Sequence, residues 1–403
     1  MKLHISEPTL ISMGPDSRTA GWGPYQFPDL FRLSDGRILC AFNDCLDSEV
    51  AYGTERKCFV SADRGATWQP AREKDFAYDC AVELPNGDRI RFDELPSLPL
   101  GDIDISDLTP INPDKIGYKE TDFYWTEDIS RDICHHGWLM QRFSKEHPEG
   151  AVEEVTLNWP YQMTPVCRGV LIVPQPRGKL KKAPDGSVWM THYATDSNPE
   201  TGKFSKYAAN YLFSSRDGKT WDLKHYLSFT PMSDDQKRYE GYSENDMTFA
   251  PDGSYVRVIR GYAKYPAVDV PCRYGPSYLV RSTDKGETWS DPVVFDDRGV
   301  WPVLLTLKCG VTLCGYGRPG FFIRATNDPA CLKWEERVEI VHSPGTPEPH
   351  NKHVVTKATC SYCDMVALDD HTAGLIYSDF TVCDGEGIPH KCMMFRTITV
   401  EDQ

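Results

Sequence analysis

The sequence lacks any hydrophobic run long enough to cross a membrane, since no apolar stretch approaches the roughly 18 residues that a spanning helix needs. Its start has no long apolar segment of the kind that directs secretion, and this absence predicts a cytoplasmic protein. Glycine-rich phosphate-binding loops and nucleotide-binding fingerprints are missing as well. We therefore expect neither a membrane protein nor a nucleotide-dependent enzyme, and we expect no cofactor.

Basic residues are also scarce. The 403 residues carry 44 Lys and Arg against 59 Asp and Glu, which gives a formal net charge of −15. A field of this sign argues against nucleic acid or an anionic membrane as a partner. The 14 cysteines, without a secretory signal, are typical of reduced thiols rather than of a disulfide framework. Cys360 and Cys363 have zinc-like spacing, but no second pair stands at a suitable distance, so we expect no metal.

Long amphipathic helices are absent too, and short strand-like runs rich in Val, Ile, Tyr, Phe and Trp fill the chain. A turn motif with the pattern Ser-x-Asp-x-Gly-x-Thr-Trp repeats among them. Its copies are residues 61–68, 282–289, 214–221 and a weaker 326–334. Asp and Ser side chains close such a turn onto backbone N–H groups, Gly permits a positive φ, and Trp anchors the turn in an apolar seam. In the copy at 214–221 we expect Arg216 to take the place of the Asp.

A second, shorter turn recurs between pairs of strand-like runs. Its six copies end at Gly36, Gly87, Gly186, Gly253, Gly310 and Asp370. Each is expected to join the first two strands of one sheet. Six four-stranded antiparallel sheets in series predict an all-β chain that folds as one six-bladed β-propeller over residues 1–403, with a β-sandwich or two β domains as the alternative. Both termini are strand-like and are expected to share a blade, and residues from about 95 to 160 are expected to be an elaboration inserted in blade two.

The longer motif resembles the Asp-box of the sialidase (neuraminidase) superfamily, and the resemblance covers nearly the whole chain. It implies that the functional residues stand where the innermost strands begin. Counting back about nine residues from each short turn reaches one position per blade. These positions are Gln26, Tyr78, Arg177, Glu244, Trp301 and Tyr362.

The resemblance implies roles for four residues at or near this ring. Tyr362 matches the segment that carries the family's tyrosine nucleophile, and Glu244 matches its carboxylate partner. Arg260 and Arg318 match arginines that bind the substrate carboxylate, which a guanidinium holds with two parallel bonds. A neutral phenol avoids the repulsion that a carboxylate nucleophile would meet, and sialidases are exceptions to the two-carboxylate rule of glycosidases. We expect the arginine pair to lower the pKa of the phenol.

The acid/base carboxylate is expected in the acidic loop before the first long motif. Glu49 stands about where the family places it, but the family residue is usually Asp, so Asp47 and Asp44 remain candidates. This group would protonate the leaving oxygen and then activate water.

The match fails at the start of the first blade. The family has an aromatic-Arg-Ile-Pro segment there, whereas this chain has Gln26 in place of the Arg. Gln donates hydrogen bonds without charge, so either the specificity is altered or Arg177 restores the charge; we favour altered specificity. Arg177 itself borders Lys179, Lys181 and Lys182, a run that favours a solvated basic face.

Together these features predict a retaining exo-glycoside hydrolase that releases a terminal sugar, with an acidic sugar favoured, from a carbohydrate substrate. One alternative is a propeller glycosidase or lyase that acts on arabinan-like or uronic-acid substrates. Another is a noncatalytic glycan-binding propeller. The sequence leaves the oligomeric state open. Aromatic residues of the inserted stretch, such as Trp138 and Trp159, fit either sugar stacking or core packing.

Overall fold

The computed structural model describes residues 1–47, 54–92, 96–115, 120–231, 241–261, 276–343 and 358–401. Strands dominate these ranges, and the helices within them are the 3₁₀ turns Glu73–Phe76, Leu100–Asp102 and Thr126–Asp128. None of the helices in these ranges has the length and apolar character needed to cross a membrane. The chain is therefore all-β, as its alternating apolar runs predict.

The strands, in chain order, are β1 Lys2–Ile5, β2 Thr9–Asp16, β3 Gln26–Arg32, β4 Ile38–Asn43, β5 Lys57–Ser61, β6 Gln69–Ala71, β7 Val82–Glu83, β8 Arg89–Phe92, β9 Leu98–Pro99, β10 Thr121–Trp125, β11 Trp138–Phe143, β12 Ala151–Asn158, β13 Met163–Cys167, β14 Val170–Leu171, β15 Leu180–Lys182, β16 Val188–Ser197, β17 Phe204–Ser215, β18 Thr220–Leu227, β19 Asn245–Phe249, β20 Tyr255–Arg260, β21 Ser277–Ser282, β22 Val293–Asp296, β23 Val300–Thr306, β24 Thr312–Gly317, β25 Phe321–Thr326, β26 Val338–Val341, β27 Cys363–Ala367, β28 Thr372–Cys383 and β29 Pro389–Glu401.

Most of the described strands fall into six antiparallel units. Unit 1 is β3–β6, unit 2 is β7, β8, β11 and β12, unit 3 is β15–β18, unit 4 is β19–β22, unit 5 is β23–β26, and unit 6 is β27–β29 with β1 and β2. The N-terminal strands β1 and β2 both pair with β29, so the two ends of the chain share one sheet, as predicted. Units 2 and 3 are continuous because β12 pairs in parallel with β18.

The short turns join the first two strands of every unit, as predicted. In five of them the glycine N–H donates to the carbonyl of the residue three positions earlier at 2.9 to 3.0 Å, and the glycine φ lies between 85 and 89°. Only glycine adopts this φ without steric cost. The sixth turn has no glycine, and the N–H of Leu368 donates to the Thr372 carbonyl at 2.8 Å.

The longer motif forms the turn between the third and fourth strands of units 1, 3, 4 and 5. In unit 1 the Asp63 carboxylate accepts bonds from the Ser61 hydroxyl and the Thr67 N–H, both at 2.8 Å. The Trp68 indole N–H donates to the Gly65 carbonyl at 3.1 Å. Hydrogen bonds made by side chains of the turn itself therefore hold it closed.

The expectation that Arg216 replaces the Asp of the third copy is wrong. That turn is one residue shorter, and Asp217 accepts bonds from the Ser215 hydroxyl at 3.0 Å and the Thr220 N–H at 2.9 Å. Arg216 points outward and pairs with Asp185 at 2.9 Å. The deletion moves the acceptor by one position and leaves its role unchanged.

Asp217→Ala is expected to lower the free energy of unfolding by about 1 to 2 kcal/mol, because it leaves the backbone N–H groups of the turn without their acceptor. Arg216→Ala is the matched control, since it removes only an exposed ion pair worth less than about 1 kcal/mol. Urea unfolding of both variants measures the difference. Equal losses would contradict the assignment of Asp217.

The core is a series of apolar layers between neighbouring units. Separate clusters of buried side chains join units 2 and 3, 3 and 4, 4 and 5, 5 and 6, and 6 and 1. Tryptophans of the long turns take part by packing on the preceding unit. The pairs and their ring-centroid separations are Trp68–Phe395 at 5.3 Å, Trp289–His225 at 5.0 Å and Trp334–Phe295 at 5.1 Å. Unit 6 therefore packs against unit 1, so the last unit of the chain contacts the first.

Strands β9, β10, β13 and β14 form an additional sheet with its own apolar cluster. They alternate in sequence with β11 and β12 of unit 2. Of the aromatic residues in this stretch, Trp138 and Trp159 are buried in the core shared by units 2 and 3, and Tyr124 is buried in the cluster of the additional sheet. These three side chains serve packing.

Candidate active site

The first strands of several units lie side by side. β3 contacts β27, β27 contacts β23, and β23 contacts β19. Residues at the starts of these strands are therefore close in space although they are far apart in the chain. This packing brings together the starts of four first strands. The residues that the sequence singles out there are Gln26, Glu244, Trp301 and Tyr362.

Tyr362 and Glu244 form the centre of this cluster. The Tyr362 hydroxyl donates to Glu244 Oε1 at 3.1 Å, and Arg260 Nη1 donates to Glu244 Oε2 at 2.7 Å. The backbone N–H of Trp301 donates to the same Oε2 at 3.0 Å. Tyr362 is 7% exposed and Glu244 is 6% exposed, so these charge-assisted bonds lie out of bulk water, where they are strong. The pair and Arg260 thus meet as predicted by their positions.

Burial raises the pKa of Tyr362 well above its ordinary value, and the neighbouring Glu244 carboxylate raises it further. Arg318 and Arg260 lower it, but their effect is the smaller one. The two arginines thus act in the expected direction, but burial and Glu244 raise the pKa by more, because removing a phenolate from water costs more free energy than the nearby guanidinium groups recover. The phenol is neutral at neutral pH, and the Glu244 carboxylate accepts its hydrogen bond.

Aromatic rings fix the orientation of Tyr362. Its ring centroid lies 4.5 Å from that of Phe27 and 5.1 Å from that of Trp301. The Arg318 guanidinium carbon lies 5.5 Å from the centre of the Tyr362 ring and 5.0 Å from that of Trp22. Arg318 is therefore held between two aromatic faces, an arrangement that stabilises a cation.

The backbone around the cluster adopts conformations that bulky residues rarely take. The non-glycine residues with positive φ include Tyr25 at 60°, Phe27 at 53°, Trp301 at 48°, Arg318 at 75° and Ser361 at 66°. Such φ values are outliers for large side chains. They persist only where the surroundings impose them, and they concentrate at functional sites.

Gln26 lies on the irregular start of β3, where the register with β4 shifts after it. Its side chain is 0% exposed, and neither its amide nitrogen nor its amide oxygen has a hydrogen-bond partner among the described residues. The buried indole nitrogen of Trp301 is also without a partner there. Buried polar groups are normally paired, so these atoms are exceptions to the usual pairing.

Arg177 and Tyr78 are the two remaining positions of the ring predicted from the sequence, and their surroundings differ. The Arg177 guanidinium lies over the ring of Tyr193 at 5.9 Å, and its backbone N–H donates to His192 Nδ1 at 3.1 Å. Tyr78 is 51% exposed and packs edge-on against Phe143, so its expected place in the ring is wrong. The strand β7 has only two residues, and the count back from its turn runs past its start into a loop.

Two of the acid/base candidates, Asp44 and Asp47, lie in the loop after β4. The backbone N–H of Asp47 donates to the carbonyl of Trp22 at 2.9 Å, which places Asp47 beside the segment that contacts Arg318. Asp44 forms an ion pair with Lys57 at 2.9 Å. Glu49 lies outside the described residues.

Sequence reasoning reaches Trp301 only by counting and assigns it no role, and it misses Phe27 and Trp22. Phe27 is adjacent to Gln26, so the signal for it was the same segment. No group of three or more His, Cys, Asp and Glu side chains in the described ranges could hold a metal ion. Cys360 and Cys363 are buried free thiols, as is typical of reduced cysteines.

No protein-family model matches the sequence, and no curated protein matches it. Solved structures do share its fold. One is a protein of unknown function from Dyadobacter fermentans, with 15% identity, a TM-score of 0.65 and 99% coverage of each chain. Another is the NanB sialidase of Streptococcus pneumoniae, with 15% identity and a TM-score of 0.51 over 98% of this chain and 71% of the sialidase. A third is the α-L-arabinanase of Penicillium chrysogenum, with 14% identity and a TM-score of 0.51 over 97% of this chain and 98% of the arabinanase. The chain therefore has the fold of these proteins.

Proposed function

We propose that the six units are the blades of one six-bladed β-propeller over residues 1–403 and that the protein is a glycoside hydrolase. The series of antiparallel units, five of four strands and one of five, supports the propeller, as do the apolar layers between units and the pairing of the chain ends in unit 6. The additional sheet is then an elaboration of the second blade. The likeness in fold to a sialidase and an arabinanase is consistent with a carbohydrate substrate.

The observation that carries the proposed activity is the hydrogen bond from Tyr362 to Glu244 beside two arginines. The Tyr362 oxygen would bond to the anomeric carbon while its proton passes to Glu244. The bond from the anomeric carbon to the leaving oxygen breaks, its electron pair goes to that oxygen, and Asp47 or Glu49 protonates it. Water then attacks the anomeric carbon and gives its proton to the same carboxylate, and Tyr362 leaves with the proton from Glu244. Two inversions give net retention.

The charges of the cluster favour an acidic terminal sugar. Arg260 and Arg318 are buried beside the phenol, where a guanidinium binds a carboxylate strongly. A neutral nucleophile is not repelled by such a substrate. Arg260 also neutralises Glu244, and Arg318 adds a second guanidinium beside the phenol.

A panel of aryl glycosides tests the proposed function. It contains sialic, ketodeoxy, uronic and arabinosyl donors, each assayed with the parent protein and with Tyr362→Phe. Turnover of an acidic donor that depends on Tyr362 supports the proposal. Turnover of an arabinosyl donor alone favours the arabinan-type alternative. Measurable glycan binding without turnover of any donor favours a binding propeller.

Gln26→Arg is expected not to raise kcat/KM on an ordinary aryl sialoside. Gln26 is fully buried, and a larger charged guanidinium at that position would have to be desolvated. Gln26→Leu is the control of similar size that removes the amide without adding charge. A gain of about tenfold or more from Gln26→Arg, equal to over 1 kcal/mol of transition-state binding, would contradict altered specificity.

A further inference from the structure

Two lysines of unit 3 pair with aspartates that lie near Tyr362 and Glu244 in the chain. Lys179 forms an ion pair with Asp364, and Lys181 forms one with Asp246 at 2.9 Å. Both aspartates are buried. We call these four side chains the hub. Their charges are paired within the protein, which is the usual condition for burying them.

The aspartates of the hub also bind the first strand of the next unit. Asp364 accepts a bond from the Leu30 N–H at 2.8 Å, and Asp246 accepts one from the Leu304 N–H at 2.8 Å. Lys181 donates in addition to the Leu304 carbonyl at 3.0 Å. The hub therefore ties together the first strands of units 1, 3, 4, 5 and 6.

The position of the hub in the sequence relates it to the candidate site. Asp364 follows Tyr362 by two residues, and Asp246 follows Glu244 by two. Tyr362 and Glu244 belong to units 6 and 4, and unit 5 stands between them, so their 3.1 Å contact depends on how three first strands sit together. Lys179, just before β15, and Lys181, within β15, hold the two aspartates and thereby fix the first strands of units 6 and 4.

The aspartates around Lys179 favour its charged form. Although burial lowers it, the pKa of Lys179 is raised overall, because Asp364, Asp29 and Asp246 stabilise the ammonium. A polar cleft of about 970 Å³ between units 1 and 2 reaches Lys179 and Asp364. The cleft leaves room for a replacement side chain at position 179.

We infer that Lys179 and Lys181 are positioning residues for the proposed reaction: by pairing with Asp364 and Asp246 they hold Tyr362 within hydrogen-bond distance of Glu244. The inference rests on the proposed function. It assigns to the lysines no contact with the substrate. Their loss should therefore slow the chemical step and leave substrate binding nearly unchanged, since a misplacement of about 1 Å costs up to about a hundredfold in rate.

The matched control is Lys182→Met. Lys182 is the next residue of the same strand, but its side chain is 42% exposed and pairs with Glu83 at 3.5 Å on another face. Lys179→Met and Lys181→Met are compared with it on the aryl glycoside that the parent turns over fastest, with rates corrected for the folded fraction. We expect kcat to fall about tenfold to a hundredfold in both hub variants, KM to change by less than about threefold, and Lys182→Met to match the parent.

A double variant separates positioning from stability. In Lys179→Met the Asp364 carboxylate is left buried without its counter-ion, which is destabilising. Adding Asp364→Asn removes that charge and keeps an oxygen that can accept the bond from Leu30. The double variant should regain thermal stability while kcat stays low, because the link to unit 3 is still missing. If Lys179→Met does not fold, the kcat of the double variant by itself tests whether Lys179 is a positioning residue.

Parental kcat in the folded hub variants would overturn the inference, and so would recovery of both stability and kcat in the double variant. Equal loss of kcat in Lys182→Met would overturn it as well. If Tyr362→Phe keeps the parental rate, or if the parent turns over no donor, the proposed function fails and this inference fails with it. If turnover depends on Tyr362 but not on the lysines, only this inference fails.

Discussion

Tyr362→Phe is expected to lower kcat by about 10³-fold or more on any donor that the protein hydrolyses, because it removes the attacking oxygen. The ring that packs between Phe27 and Trp301 is kept. The loss of one hydrogen bond to Glu244 costs the fold only about 1 kcal/mol. The variant should therefore stay folded, with KM close to the parental value.

Tyr377→Phe is the matched control for this experiment. Tyr377 is a buried tyrosine of unit 6 whose hydroxyl accepts a bond from Arg396 Nε at 2.9 Å. It loses a similar bond in the same sheet without touching the cluster. Its kcat should equal that of the parent. A Tyr362→Phe protein that keeps more than a tenth of the parental kcat would show that another group attacks the sugar.

Glu244→Gln is expected to lower kcat by about 10² to 10⁴-fold, since an amide of the same shape cannot take the phenol proton. The requirement is strong because burial and Glu244 itself raise the pKa of Tyr362, so the phenol does not ionise unaided. The substitution also removes the carboxylate from the buried ion pair with Arg260, and the free energy of unfolding should fall by about 3 kcal/mol.

The double variant Glu244→Gln/Arg260→Met distinguishes these two effects. It removes both charges of the buried pair, so most of the lost stability should return. Activity should not return. The proton acceptor is still absent, and Arg260, which is proposed to bind the carboxylate of the substrate, has been removed. Circular dichroism melting and steady-state rates measure the two quantities on the same samples. Recovery of kcat in the double variant would contradict the role of Glu244.

The regular parts of the fold could be predicted because their signals are local. A turn that ends at Gly36 or Gly253 needs a positive φ, and only a few residue types provide it. Counting back from such a turn reaches Tyr362 and Glu244, each of which lies one residue before the start of its strand. The same count failed at Tyr78 because β7 starts only at Val82, so the counted position falls in the loop before the strand.

Other features could not be predicted, because they depend on burial and on side-chain positions that only the folded chain defines. The pKa of Tyr362 follows from the competition between burial and nearby charges, and the sequence gives the charges but not the depth of burial. Asp217 is the hydrogen-bond acceptor in a turn that is one residue shorter than the other copies. A comparison of the motifs without this deletion assigns the acceptor position to Arg216. The run at Lys179–Lys182 resembles a solvated basic face, yet Lys179 and Lys181 point inward because side chains alternate along a strand.

The central claim is that the Tyr362 oxygen forms a covalent bond to the sugar. A fluorinated analogue of the best donor, carrying a good leaving group, should let this intermediate form and slow its hydrolysis, because fluorine next to the anomeric carbon disfavours the positive charge of the second transition state. After digestion, mass spectrometry should find one added sugar on the peptide that contains Tyr362, and none in Tyr362→Phe. A label on an Asp or Glu residue, or an inverted product with no label at all, would contradict the account.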